Sequence, residues 1–144
     1  MRTSIIVPFV FLLSLTSITH SQAAAPSPPA TAETRPPPGV DAKLTSTDAE
    51  YGYSKEKPIK VGSRNEFEGP AAERAYFNTL RDEAGKPVTF NRIGSFGAGP
   101  DGNILDGYDV QTSTGRKLVL YIDMYHPKND PKKQLAPKGL FKAR

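Results

Sequence analysis

Residues 97 to 126 read GAGPDGNILDGYDVQTSTGRKLVLYIDMYH, and the reading of the first six decides the fold. Gly97, Gly99 and Gly102 match the G-x-G-x-x-G spacing of a dinucleotide-binding turn. That turn works only when a strand enters it and a helix leaves it, so that the phosphates sit on the helix N-terminus. Here a strand-like pattern follows instead, with Ile104, Tyr108 and Val110 on one parity. Pro100 also deletes a backbone N–H that a phosphate would need. No Gly-Lys-Ser/Thr ends the run, so a P-loop is unsupported as well. GAGPDG therefore reads as a connection between two antiparallel strands, with Pro100-Asp101-Gly102 as its turn. Leu118, Leu120, Ile122 and Met124 alternate without a break, and Thr114-Gly115 supplies a tight hairpin turn between the two runs.

Working outward, PVTFNRIG gives a third strand with Val88, Phe90 and Arg92 on one parity. Before it, EGPAAERAYFNTLRDEAGK predicts a helix over 70–83. Pro70 suits the first helical position, Ala72, Tyr76, Phe77 and Leu80 recur at helical spacing, and Gly85 stops the run. Ile59 to Val61 offer a short strand behind Pro58. The expected fold class is α+β: a single helix packed on the even-numbered face of a three- to four-stranded antiparallel sheet, in the order β-α-β-β-β.

The chain of 144 residues allows one domain. Met1 and Arg2, the apolar run from Ile5 to Leu15 and the small residues Ala23 to Ala25 follow the order of a secretory signal peptide over 1–25, with cleavage after Ala23 or Ala25 fitting equally. The apolar run is shorter than the roughly 20 residues a membrane span needs. The expected location is periplasmic or secreted. Residues 26–47, rich in Pro, Ala, Ser and Thr, read as an extended linker. The domain is expected over 48–127 and a basic flexible tail over 128–144. Six Lys or Arg follow residue 127 against Asp130 alone, whereas 48–127 holds ten Lys or Arg and twelve Asp or Glu, so the overall charge of +4 belongs to the tail. There is no cysteine, which excludes disulfides, thiolate metal sites and a Cys nucleophile.

Few side chains carry chemistry. Asp123 and His126, the one histidine left after signal cleavage, resemble a general-base pair. Strand geometry argues against that pair, since residues three apart in a strand point to opposite faces and lie about 10 Å apart along it. Asp123 is then expected to share a face with Val119, Tyr121 and Tyr125. Glu73 and Arg74 open the helix, where Glu73 complements the dipole and Arg74 is a partner for Asp106 or Asp123. The candidate binding residues are thus Tyr121, Asp123, Tyr125, His126, Glu73 and Arg74. With no second His at ligand spacing, no metal is expected, and no cofactor. Lys132, Lys133, Lys138, Lys142 and Arg144 could make weak contact with an anionic surface. Aromatic interleaving is lacking there, and no nucleic acid is expected.

YGYSKEKPIKVG, EGPAAERAYFNTLRDEAGKPV, ILDGYDV and LVLYIDMYHP, in that order over about 51–127, resemble a group of small exported bacterial proteins, some of them lipoproteins. Members of that group are sometimes labelled 2-dehydro-3-deoxyphosphooctonate aldolase, an error of transfer, since that enzyme is a (β/α)₈ barrel of roughly 250 residues. Relatives carry a Cys pair after the position of Ile93-Gly94-Ser95, where this chain has Phe96-Gly97. The resemblance implies a small exported domain and transfers no catalytic residue. The expected function is a non-catalytic binding or envelope-associated module whose partner is an envelope component or a small ligand. Two alternatives stand beside it: an anionic-surface binder acting through the tail, and a small hydrolase or lyase. The latter requires Asp123, His126, Glu73, Arg74, Tyr51, Tyr53, Tyr121 and Tyr125 to meet in one cleft.

Overall fold

Strand alternation and one amphipathic helix generate the architecture of the computed structural model, which describes residues 35–62 and 66–144. The signal peptide of 1–25 and the linker residues 26–34 lie outside the described residues. The elements are β1 (Val40–Asp41), β2 (Ile59–Lys60), α1 (Gly69–Phe77), β3 (Leu80–Arg81), β4 (Thr89–Ala98), β5 (Ile104–Gln111), β6 (Lys117–Asp123) and β7 (Phe141–Ala143). The class is α+β, with two sheets among the described residues rather than one. A four-stranded sheet runs β2-β6-β5-β4, and a three-stranded sheet runs β1-β7-β3.

The β5–β6 hairpin closes at Thr112–Arg116, where Thr112 N–H donates to the Arg116 carbonyl at 2.9 Å and Gly115 takes a positive φ of 89°. Its register pairs Tyr108 with Leu120 and Asp106 with Ile122. Even-numbered side chains of both strands therefore share one face, and that face carries α1. Tyr76 and Phe77 are fully buried against Tyr108, Val110, Leu118, Leu120 and Ile122. The Phe77 ring stacks on Phe90 at 4.5 Å and tilts against Tyr108 at 4.6 Å. Burying each such ring stabilises the fold by about 2–3 kcal/mol.

Four expectations are corrected. The helix ends at Phe77, not at Glu83: Asn78 N–H caps onto the Arg74 carbonyl at 3.0 Å, the Thr79 hydroxyl donates to the Tyr76 carbonyl at 2.6 Å, and Leu80 and Arg81 leave to pair with β7. The main sheet is mixed, because β2 pairs with β6 in parallel, Ile59 beside Ile122. The stretch read as linker is structured from Val40, which is buried and pairs with Ala143. The stretch read as a flexible tail is part of the fold. Ala136, Leu140 and Phe141 are buried, and Lys142 is almost fully buried with its ammonium 4.4 Å from the Tyr76 ring and donating to the Pro131 carbonyl at 3.2 Å. Burial lowers the Lys142 pKa to about 8.

Asp82, fully buried at the exit of β3, ties two turns together. One carboxylate oxygen accepts from the N–H groups of Ala84 at 2.9 Å and Lys86 at 2.8 Å, and the other accepts from Ser113 N–H at 2.7 Å. Burial opposes its charge, but the donors prevail and hold its pKa below the usual value. Replacing Asp82 by Asn removes one acceptor and the charge assistance, and is expected to lower unfolding stability at pH 7 by about 2 kcal/mol in urea titrations. Because the folded pKa is depressed, the deficit is present above the unfolded value near 4 and closes as pH falls through the folded one. Among the described residues no helix is long and apolar enough to cross a membrane.

Candidate functional site

The GAGPDG loop brings chemistry to the end of β6. Gly99 N–H donates to the Asn103 carbonyl at 2.8 Å and Gly102 N–H to the Gly99 carbonyl at 3.0 Å, closing the Pro100-Asp101-Gly102 turn as expected. A Cβ on Gly99 would stand 2.6 Å from a methyl of the fully buried Leu105, so a larger residue there would have to displace that side chain. The turn sets Asp101 beside the C-terminal end of β6, where Asp123 is the last strand residue.

Asp123 Oδ2 lies 2.9 Å from His126 Nε2, and Asp101 Oδ2 lies 3.4 Å from the same nitrogen. The expectation that Asp123 and His126 point to opposite faces is thus overturned. The strand stops at Asp123, and the chain beyond it turns to a new partner: Tyr125 bridges Gly62, and His126 N–H donates to the Val61 carbonyl at 3.2 Å. Gly62 permits this approach, since a Cβ there would overlap the backbone of His126. Asp123 is fully buried, and its oxygens accept from Asn103 Nδ2 at 3.1 and 3.3 Å and from Tyr125 N–H at 3.0 Å. The ammonium of Lys60, on β2, contacts the exposed Asp101 carboxylate and holds its pKa below the usual value. His126 Nε2 is itself buried and, although close to two carboxylates, meets hydrogen-bond geometry with neither.

A second polar cluster lies on the opposite, helix-covered face. Glu73 is fully buried, and its Oε2 accepts from the Tyr108 hydroxyl at 2.6 Å while its Oε1 has no partner. Burial lifts the Glu73 pKa to about 7, against the partial relief given by Tyr108. Beside it, Arg92 grips both oxygens of Asp106 at 2.7 Å, and the Ser95 hydroxyl donates to Asp106 at 3.1 Å. Arg92, which the sequence reading left aside, is therefore the partner of Asp106 that Arg74 was expected to be. Arg74 is exposed.

Of the expected site residues, Asp123, His126 and Tyr125 lie together at the rim. Tyr121 lies on the same sheet face, edge-on to Phe96 at 5.3 Å. Glu73 lies on the other face. Tyr51 and Tyr53 pack against the core, where burial lifts both hydroxyls to about 12, and the Tyr53 hydroxyl donates to the Lys138 carbonyl at 2.8 Å. The eight side chains of a hydrolytic cleft thus do not converge. Asp101, Asn103 and Lys60 were missed as rim residues. Compared with known protein families, curated proteins and solved structures, the chain matches none.

Proposed function

We propose that the chain is an exported, non-catalytic binding module that engages its ligand at the rim formed by Asp101, Asp123 and His126. The observation that carries this reading is the buried His126 Nε2, held within 3.4 Å of two carboxylates and hydrogen-bonded to neither. Buried polar atoms are as a rule satisfied, and an orphan in a polar cluster is a place for a ligand to complete. The 99–103 turn and the 123–126 segment converge there, each on backbone that is itself hydrogen-bonded, which is the rigid presentation that a binding site requires. Export rests on the N-terminal segment pattern of 1–25. Contact with an anionic surface is a weaker reading, since Lys142 is buried in β7 and only Lys132, Lys133, Lys138 and Arg144 of the basic set are exposed.

Native mass spectrometry of the protein recovered from the exported fraction tests the reading. The wild-type chain is expected to fly with an added mass that disappears in the Asp123→Asn and His126→Gln variants, whose melting temperatures serve as the folding control. A wild-type spectrum at the bare chain mass, or an adduct retained in both variants, would overturn it.

A further inference from the structure

We infer that Asp101, Asp123 and His126 form a binding site for a divalent first-row transition-metal ion of the zinc type. This rests on the rim being the ligand site, and it names the ligand.

The donor atoms, one imidazole nitrogen and two carboxylate oxygens, lie within 4.8 Å of one another. Bonds of 2.0–2.2 Å in a tetrahedral zinc site imply ligand-to-ligand edges of about 3.3 Å. The His126 edges, 2.9 and 3.4 Å, bracket that value. The 2.9 Å edge has the length of a hydrogen bond but not its direction, so Nε2 is left without a partner. A buried imidazole nitrogen beside two carboxylates and bonded to neither can offer its lone pair to a cation that the carboxylates also hold. One cation placed among the three atoms would satisfy all of them.

The donor set also selects among cations. Calcium takes six to eight oxygen ligands and magnesium keeps most of its water, whereas imidazole suits zinc, iron, nickel and copper. The surroundings supply the outer contacts that orient metal ligands: Asn103 Nδ2 and Tyr125 N–H both donate to Asp123. Three protein ligands leave the fourth tetrahedral position to water or to a donor atom of another molecule. Beyond the signal segment the sequence shows a single His and no ligand spacing, because the third ligand arrives from a loop about 20 residues upstream, through hairpin pairing.

Lys60 makes the inference sharply testable. Its ammonium occupies Asp101 and must yield for the carboxylate to ligate a metal. Removing that competitor should tighten metal binding, whereas in a purely structural latch of Lys60, Asp101, His126 and Asp123 it would only loosen the rim.

Isothermal titration of ZnCl₂ into the full exported chain, stripped with EDTA and dialysed, is the measurement. One ion per chain is expected, with MgCl₂ and CaCl₂ giving no saturable heat. Asp123→Asn and His126→Gln are expected to weaken binding about 100-fold or abolish it, and Asn103→Ala to weaken it about tenfold. Asp101→Asn, in an exposed turn, keeps the test clear of misfolding and should weaken binding at least tenfold. Lys60→Ala should tighten it about tenfold, the factor expected from removing one surface cation at contact distance. Absence of saturable Zn²⁺ binding would overturn the inference, as would a Kd that neither Asp101→Asn alone nor Lys60→Ala alone changes. If Zn²⁺ fails while the native adduct is an organic mass lost in Asp123→Asn, the rim remains the binding site and only the metal is wrong. If Zn²⁺ binds as described but the exported chain carries no adduct, the metal site stands and the proposed function does not.

Discussion

A chain ending at Pro127 is expected not to fold. Its removal of 128–144 takes away β7, the central strand of the β1-β7-β3 sheet, and with it Ala136, Leu140 and Phe141 from the interior. Large buried apolar side chains cost about 2–5 kcal/mol each when cut back to Ala, and a small domain holds only about 5–15 kcal/mol in total. The truncated chain should therefore lack a cooperative thermal transition and lose its near-ultraviolet circular dichroism. Leu140→Ala is the graded version, with an expected loss of about 3 kcal/mol in urea titrations. Two-state melting of the truncated chain at the wild-type temperature would show that the C-terminal segment is dispensable. This also governs how the tail's charge is tested: deleting it removes structure together with lysines, so single changes such as Lys132→Glu and Lys133→Glu are the usable probes.

Replacing Glu73 by Gln is expected to reshape the pH dependence of stability. The Glu73 carboxyl has a folded pKa of about 7 against 4.5 in the unfolded chain. The groups facing it are Tyr108 and Asp106 on β5, Arg92 on β4, and Arg74 on its own helix. A raised carboxyl pKa means that the folded state holds the proton more tightly than the unfolded one. The wild-type protein is therefore unaffected by this group below pH 4.5 and loses stability between pH 4.5 and 7. At about 1.4 kcal/mol per pKa unit, the loss amounts to about 3 kcal/mol, constant above pH 7. Gln mimics the protonated form and does not titrate. The stability of Glu73→Gln relative to wild type, from urea curves at pH 4.5 and pH 8, should thus rise by about 3 kcal/mol across that interval. A difference that stays flat would mean that Glu73 is not held in a desolvated pocket. Asp82 works in the opposite sense at acid pH, its contribution fading as pH falls below about 4.

What was legible in the sequence was the part with a long period. Leu118, Leu120, Ile122 and Met124 mark a strand because four alternations cannot arise on a helix face, and the Thr114-Gly115 turn sets its partner. The short strands were not legible. Leu80–Arg81 and Val40–Asp41 span two residues each, too few to show a period, and their pairing is decided by β7 at the far end of the chain. β7 itself was hidden by its lysine. Counting charges assumes that each ammonium is in water, whereas that of Lys142 sits over the Tyr76 ring, so a residue that reads as solvated tail is interior. The apolar pair Leu140-Phe141 was the signal that should have outweighed it.

The rim was half legible. Asp123 and His126 stand out by residue type, but Asp101 does not, since an acidic residue in a Pro-Asp-Gly turn is already accounted for by turn chemistry. Register would have found it. Continuing the pairing of Gln111 with Lys117 along the hairpin puts Ile104 opposite Met124 and the tip of the loop level with His126. Any charged residue at that tip has to meet the end of β6. GAGPDG connects two antiparallel strands, and its turn is what carries Asp101 to the end of β6.

The pairing of β1 with β7 carries a consequence for the order of events during synthesis. Val40 lies beside Ala143, and Thr45 bridges Ala136, so the first described strand finds its partner only in the last one. Contacts of such long sequence separation close late, because the loop between them must be ordered before they form. Until residues 141–143 have emerged, the three-stranded sheet has no centre strand, and the interior it covers stays open. If the chain is exported as proposed, late closure would leave the polypeptide threadable as it crosses a membrane, with folding completed on the far side.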